Sequence, residues 1–300
     1  MSPPDTPRRS REYRGHLSNT DVWATFQLRP GDVVVSTPPK CGTTWTQAMV
    51  LMLIHGRPGM DRVLNDISTW LDCAFRDRAE KAALLDGQGH RRCIKSHTPL
   101  DGIAYDPAAI YLAIYRHPVD AHFSMRRHVD KLKPGALSDL VARFPADEAQ
   151  AFQMFVDDGD RGLGTDDMTL QGYVCHYRSF RDWAHLPNVH LLHYADLSCD
   201  LAGEMRRVAD LLGITHAPEV MDALVNGARF KTMQQNADKP PETKATTAFR
   251  PGTNFFDSGT SGKWQGRVSA TLMARYRARL AELVTPEEAR WLESGGDFPA

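Results

Sequence analysis

Apolar residues come in short unbroken runs set between longer stretches of helical period. "GDVVVST" (31–37), "RRCIKSH" (91–97), "AIYLAIYR" (109–116) and "NVHLLHY" (188–194) are apolar through their middles and bounded by polar or turn residues, which predicts four strands. Unbroken runs belong to strands buried on both faces. Helical patterns lie between them. "TTWTQAMVLMLIHG" (43–56) stops at Gly56 with Pro58 beyond, "HPVDAHFSMRRHVDKL" follows the third strand with Pro118 in its first turn, and a further helix is expected at about 200–212. Two more, at about 269–284 and 286–293, close the chain. Alternating strands and helices predict an α/β fold: a P-loop-like three-layer α/β/α sandwich on a central, mainly parallel sheet.

Two stretches break the rhythm. "DDGDRGLGTDD" (157–167) is rich in glycine and aspartate, and the run from 236 to 262 is long and aperiodic. Both are expected to be mobile loops, since long irregular connections in compact domains are often lids or binding loops. The first 15 residues, "MSPPDTPRRSREYRG", have arginines but no apolar region after them, so they read as a flexible arm ahead of a single domain over 16–300.

Composition narrows the class. Of 300 residues, 42% are hydrophobic and 24% charged, enough for a sizeable core. With 36 basic and 37 acidic residues the chain has no whole-molecule pull toward nucleic acid. No run approaches the ~20 apolar residues of a membrane span. Five scattered cysteines without a CxxC pair suit a reduced cytoplasm and offer no zinc site.

The chemistry is concentrated where the first strand meets the first helix, in "STPPKCGTTWTQAMV" (36–50). Backbone N–H groups at a helix start lack partners and carry the positive end of the dipole. Gly42 admits close approach of a ligand, Thr43 and Thr44 can cap the helix or donate hydroxyls, and Lys40 adds a full charge. The loop is built for a phosphate-like group. It is not the Walker pattern, because lysine precedes the glycine here rather than following it.

"PPKCGTTW" resembles the 5′-phosphosulfate loop of the cytosolic-type sulfotransferases, commonly PKSGTTW, with Cys41 in place of serine. "IKSHTPL" (94–100) looks like the family's segment bearing the catalytic histidine, "YRHPVDAHFSM" (115–125) like its 3′-phosphate segment, and "FFDSGTSGKW" (255–264) like a degraded form of its C-terminal RKGxxGDW segment. "HRRCIKSHTPLDG" (90–102) also looks like bacterial, glycolipid-type members.

The resemblance implies transfer of a sulfonate from 3′-phosphoadenosine 5′-phosphosulfate to an acceptor hydroxyl, without a metal. His97 is then the general base, Lys40 the stabiliser of the leaving phosphate and Lys95 a contact to the sulfonate. A lone strand-end histidine would more often be one satisfied by backbone; beside this loop and in the KSH context the catalytic reading takes precedence. Arg116 and Ser124 map to the 3′-phosphate, and Ser124 also to a restraint on Lys40. Cys41, Gly42, Thr43 and Thr44 map to the phosphosulfate. Trp45, Tyr194, Phe230 and Met233 map to the adenine, and Gly259 to the C-terminal segment. Trp45 is open to a second reading as core packing.

Two departures stand out. Asp257 and Ser258 replace the family's arginine and lysine, so donor binding is expected to weaken or to be rescued by Arg250 or Arg267. "QGRVSATLMA" lacks the family's dimer motif, which leaves the oligomeric state open. Trp70, Phe75, Phe123, Met125 and Phe152, with the 236–256 segment, are candidate walls for a hydrophobic alcohol, phenol, steroid or glycolipid. The competing functions are a P-loop nucleotide kinase and a non-catalytic binder of adenosine 3′,5′-bisphosphate.

Overall fold

The four expected runs form β1 (Val33–Ser36), β2 (Cys93–Ser96), β3 (Ile110–Tyr115) and β4 (Val189–His193) in the computed structural model, which describes residues 6–59, 64–159, 161–237, 249–250 and 259–299. All pairings are parallel, in the order β2-β1-β3-β4. Successive residues feed opposite faces. Val34, Ile94, Tyr111 and Tyr115 join one apolar cluster, while Val33, Val35, Leu112 and Ile114 join another. Helices cover both faces, giving the expected three layers.

The chain leaves β1 toward β2 on one side and returns to place β3 on the other. That reversal opens a crevice beyond the carboxyl end of β1, where ligands of open α/β sheets bind. The loop between β1 and the helix Thr43–His55 lies there.

Three features differ from the sequence reading. Tyr194 does not end a strand; it opens the helix Tyr194–Cys199, capped by the His193 side chain. The expected flexible arm is docked over its described C-terminal part. Tyr13 is buried and its hydroxyl donates to Asp101 at 2.8 Å, while Ser10 and Arg11 N–H groups reach the Asp101 carbonyl. The stretch 157–167 ends in a buried 3-10 turn, Gly164–Asp167, where Asp166 accepts the N–H groups of Leu17 and Ser18. Much of the 236–262 stretch lies outside the described residues.

Candidate active site

The β1 loop reaches its helix through two left-handed residues, Lys40 (φ 69°) and Gly42 (φ 110°). Only glycine suits the second. A Cβ at Gly42 would lie 3.1 Å from the Tyr194 ring, and the conformation itself disfavours side chains. Gly42, not a threonine, is the cap residue, and it supplies no side-chain bond to the first turn. Thr43 instead turns its hydroxyl to Thr37, 2.5 Å away. The helix start therefore lacks a side-chain cap, as an anion site requires. Thr44 is half-buried beside it. Cys41 points the other way: it is fully buried, its sulfur 3.9 Å from the Tyr173 hydroxyl, and burial pushes its thiol up to about 12. Its side chain belongs to the core.

His97 follows β2, and its Nδ1 lies 2.7 Å from the Thr37 carbonyl oxygen. A carbonyl only accepts, so Nδ1 carries the proton and Nε2 keeps a lone pair. Both readings of this histidine therefore apply to one ring: backbone satisfies one nitrogen, and among the described residues no group takes the other. Burial holds the imidazole well below its usual pKa, and Lys95, His176 and Lys40 push the same way against the Thr37 bond. It is neutral at working pH.

Lys95 and His97 share one neighbour that the sequence marked only as an apolar wall. The Lys95 ammonium lies 4.4 Å from the Trp70 ring centroid, and the His97 ring meets that indole edge-on at 4.8 Å. Burial of the Lys95 ammonium lowers its pKa to about 8, against the opposing pull of Cys73 and Asp72. Asp72, absent from the sequence reading, is fully buried. It accepts bonds from the Trp70 and Trp23 indoles at 2.7 and 2.8 Å and from the Ser96 and Thr98 hydroxyls at 2.6 and 2.7 Å.

The Lys40 ammonium lies 3.5 Å from Nδ1 of His128 on the helix Pro118–Val129, one turn beyond the half-buried Ser124. Burial, with Lys40, Lys131 and Lys95, keeps His128 well below its usual pKa.

The candidate nucleotide residues converge at the far side of the loop. The Arg116 guanidinium stacks 4.3 Å from the Tyr194 ring centroid and donates to the Thr260 carbonyl at 3.1 Å. Its Nε is buried and has no partner among the described residues, as a group awaiting an anion would. Tyr194 meets Trp45 edge-on at 5.3 Å, and its hydroxyl donates to the Gly259 carbonyl. Gly259 (φ 65°) lies against the Phe230 ring, which a Cβ would approach to 2.8 Å. Trp45 donates to the Ala228 carbonyl at 2.8 Å, and Met233 is buried in the same cluster.

Asp257 and Ser258 lie outside the described residues. Arg250 donates to the Leu132 carbonyl, and Arg267 pairs with Glu148. The apolar walls divide. Phe123 and Phe152 belong to the core, Phe75 is 55% exposed, and Trp70 and Met125 remain beside the loop. Among the described residues no cluster of three His, Cys, Asp or Glu could hold a metal, and no helix is long and apolar enough to cross a membrane.

The chain is similar to known proteins over most of its length. The family model for the sulfotransferase domain matches residues 30–285. A glycolipid sulfotransferase of Mycobacterium bovis is 32% identical over 307 residues, covering 94% of each chain. Mouse sulfotransferase SULT7A1, solved with PAP, superposes with a TM-score of 0.67 at 18% identity, over 92% of this chain and 93% of that one. Retinol dehydratase, solved with retinol and PAP, gives 0.67 at 19% identity, over 93% and 86%.

Proposed function

The chain belongs to the sulfotransferase family, and from that premise we propose that it moves the sulfonate of 3′-phosphoadenosine 5′-phosphosulfate to the hydroxyl of an apolar acceptor. The reading rests most heavily on the 2.7 Å bond between His97 and the Thr37 carbonyl. That bond fixes the tautomer in which Nε2 can take a proton, and it does so beside the anion loop.

The co-substrate supplies an activated sulfonate on a phosphate leaving group. Residues of this chain do the rest. His97 Nε2 takes the acceptor proton as the oxygen attacks sulfur. Lys40 and the uncapped helix start meet the charge that builds on the departing phosphate. Lys95 faces the transferring group. Arg116, whose buried Nε has no partner among the described residues, suits the 3′-phosphate, and the Trp45, Tyr194 and Phe230 rings suit the adenine. The glycolipid substrate in the name of the mycobacterial relative supports a lipid-like alcohol as acceptor.

Calorimetric titration with adenosine 3′,5′-bisphosphate, without metal, tests the donor site; one-to-one binding is expected. His97→Ala should keep that binding while transfer from labelled donor falls by orders of magnitude. Unchanged turnover would remove His97 from the mechanism, and no binding at millimolar ligand would remove the donor.

A further inference from the structure

Arg116 stands one residue beyond the sheet's ladder. β1 stops at Ser36, opposite Ala113, and β4 stops at His193, opposite Tyr115. Backbone groups buried at such a point need partners from elsewhere. Both groups of Arg116 find the same one. The Tyr173 hydroxyl, on the helix Leu170–Arg181, accepts the Arg116 N–H at 3.0 Å and donates to the Arg116 carbonyl at 2.5 Å. The Cys41 thiol faces the same oxygen from 3.9 Å. A phenol has one proton to give and two lone pairs to fill, so this hydroxyl is fully used. Burial holds its pKa well above the usual tyrosine value, which keeps the donated proton in place.

The hydroxyl joins two ends of the candidate donor site. Cys41 lies between Lys40 and Gly42 in the loop after β1. Arg116 carries the guanidinium that the Tyr194 ring and the Thr260 carbonyl hold, with a buried Nε that has no partner among the described residues. Those contacts set where the guanidinium points, and Tyr173 fixes the backbone from which it starts. The Tyr173 ring is itself held: it is buried and meets the Tyr115 ring T-shaped at 6.1 Å. A phenylalanine would fill the same space, so what the hydroxyl adds lies in its bonds to Arg116.

We infer that Tyr173 is a positioning residue for the nucleotide: its hydroxyl sets Arg116 at a fixed distance from the loop after β1, and so governs how strongly a nucleotide with a 3′-phosphate is preferred to one without. This rests on the sulfotransfer reading and on Arg116 meeting the 3′-phosphate. Tyr173 touches neither phosphate. It acts through Arg116, so its effect must depend on the guanidinium being there.

The test is calorimetric titration of the full chain with adenosine 3′,5′-bisphosphate and with adenosine 5′-monophosphate, for the wild type, Tyr173→Phe, Arg116→Ala and the double variant. The wild type should prefer the bisphosphate by about tenfold or more, and Arg116→Ala should remove most of that preference. Tyr173→Phe should cut the preference about fivefold by weakening the bisphosphate, with the monophosphate within about twofold. In the Arg116→Ala background the same change should move neither nucleotide by more than about twofold. Equal losses for both nucleotides, no loss, or a loss that persists without Arg116 would overturn the inference and leave Tyr173 a fold residue. If Tyr173→Phe does not fold, amide exchange of the wild type decides: the Arg116 N–H must exchange as slowly as those of Ile114 and Tyr115, and exchange at the rate of an open loop overturns the inference. The failures are distinguishable. A wild type that binds neither nucleotide strikes the sulfotransfer reading, and a preference that Arg116→Ala leaves in place strikes the assignment of Arg116; either takes the inference with it. A preference that depends on Arg116 and ignores Tyr173→Phe strikes Tyr173 alone.

Discussion

The Lys95 ammonium and the His97 ring pack against one indole: Lys95 sits over the face of Trp70 at 4.4 Å, and the His97 and Trp70 rings meet T-shaped at 4.8 Å. The electron-rich face favours the cation, while the apolar surroundings oppose it. The result is a lysine that loses its proton near pH 8 next to a histidine that is already neutral.

That pairing fixes the pH profile. Below about pH 8 Lys95 is charged, and above it the charge is lost, so a step that uses the ammonium slows as pH rises through about 8. His97 stays neutral down through its usual range, so no acidic limb should appear near pH 6.5. Lys95→Arg should lower the rate but push the basic limb beyond the accessible range, because guanidinium stays charged. An acidic limb near 6.5, or a basic limb that Lys95→Arg leaves in place, would contradict these assignments.

Asp72 is the anchor of that indole. Its carboxylate holds four donors, two of them indoles. Asp72→Asn replaces one accepting oxygen by a donor, which leaves buried partners unmet at about 1–3 kcal/mol each. The expected outcome is a lower melting temperature, a kcat reduced tenfold or more and bisphosphate affinity within about threefold. Loss of stability alone, with kcat intact, would make Asp72 a fold residue only.

The sequence made the strands and the glycine-bearing loop after β1 legible because both are local. Four apolar runs announce a parallel sheet, and lysine, glycine and paired threonines within one strand-to-helix junction announce an anion site. What escaped depends on distant partners. Nothing near Asp72 in sequence tells that Trp23, Ser96 and Thr98 converge on it. Tyr13 looks like part of a polar arm until Asp101 is beside it. Thr43 looks like a helix cap because the pull of Thr37, six residues earlier, cannot be read from local preference.

The nucleotide end offers a steric test. Gly259 adopts φ 65°, and a Cβ there would come within 2.8 Å of the Phe230 ring. Gly259→Ala should displace that ring or the backbone carbonyl that accepts from Tyr194, raising the bisphosphate dissociation constant about tenfold. Tyr194→Phe loses only the hydrogen bond, worth about 1 kcal/mol, so a roughly fivefold change is expected. Titration of both variants checks the order: an alanine milder than the phenylalanine would separate Gly259 from the adenine site.

The Lys40 ammonium lies 3.5 Å from His128 Nδ1. The neutral imidazole can accept from it, and Phe249 packs edge-on against His128 at 4.9 Å, limiting where the ring can turn. Lys40 also occupies a left-handed backbone position, so its direction depends on such side-chain support. His128→Phe keeps a ring of similar size but removes the acceptor. It should lower kcat about three- to tenfold, with bisphosphate affinity within twofold. His128→Gln, whose carbonyl can accept, should regain part of the loss, and Ser124→Ala should leave the Lys40 ammonium where it is. Steady-state kinetics on the three variants decides it: an unimpaired His128→Phe enzyme alongside a crippled Ser124→Ala enzyme would return the lysine to the serine.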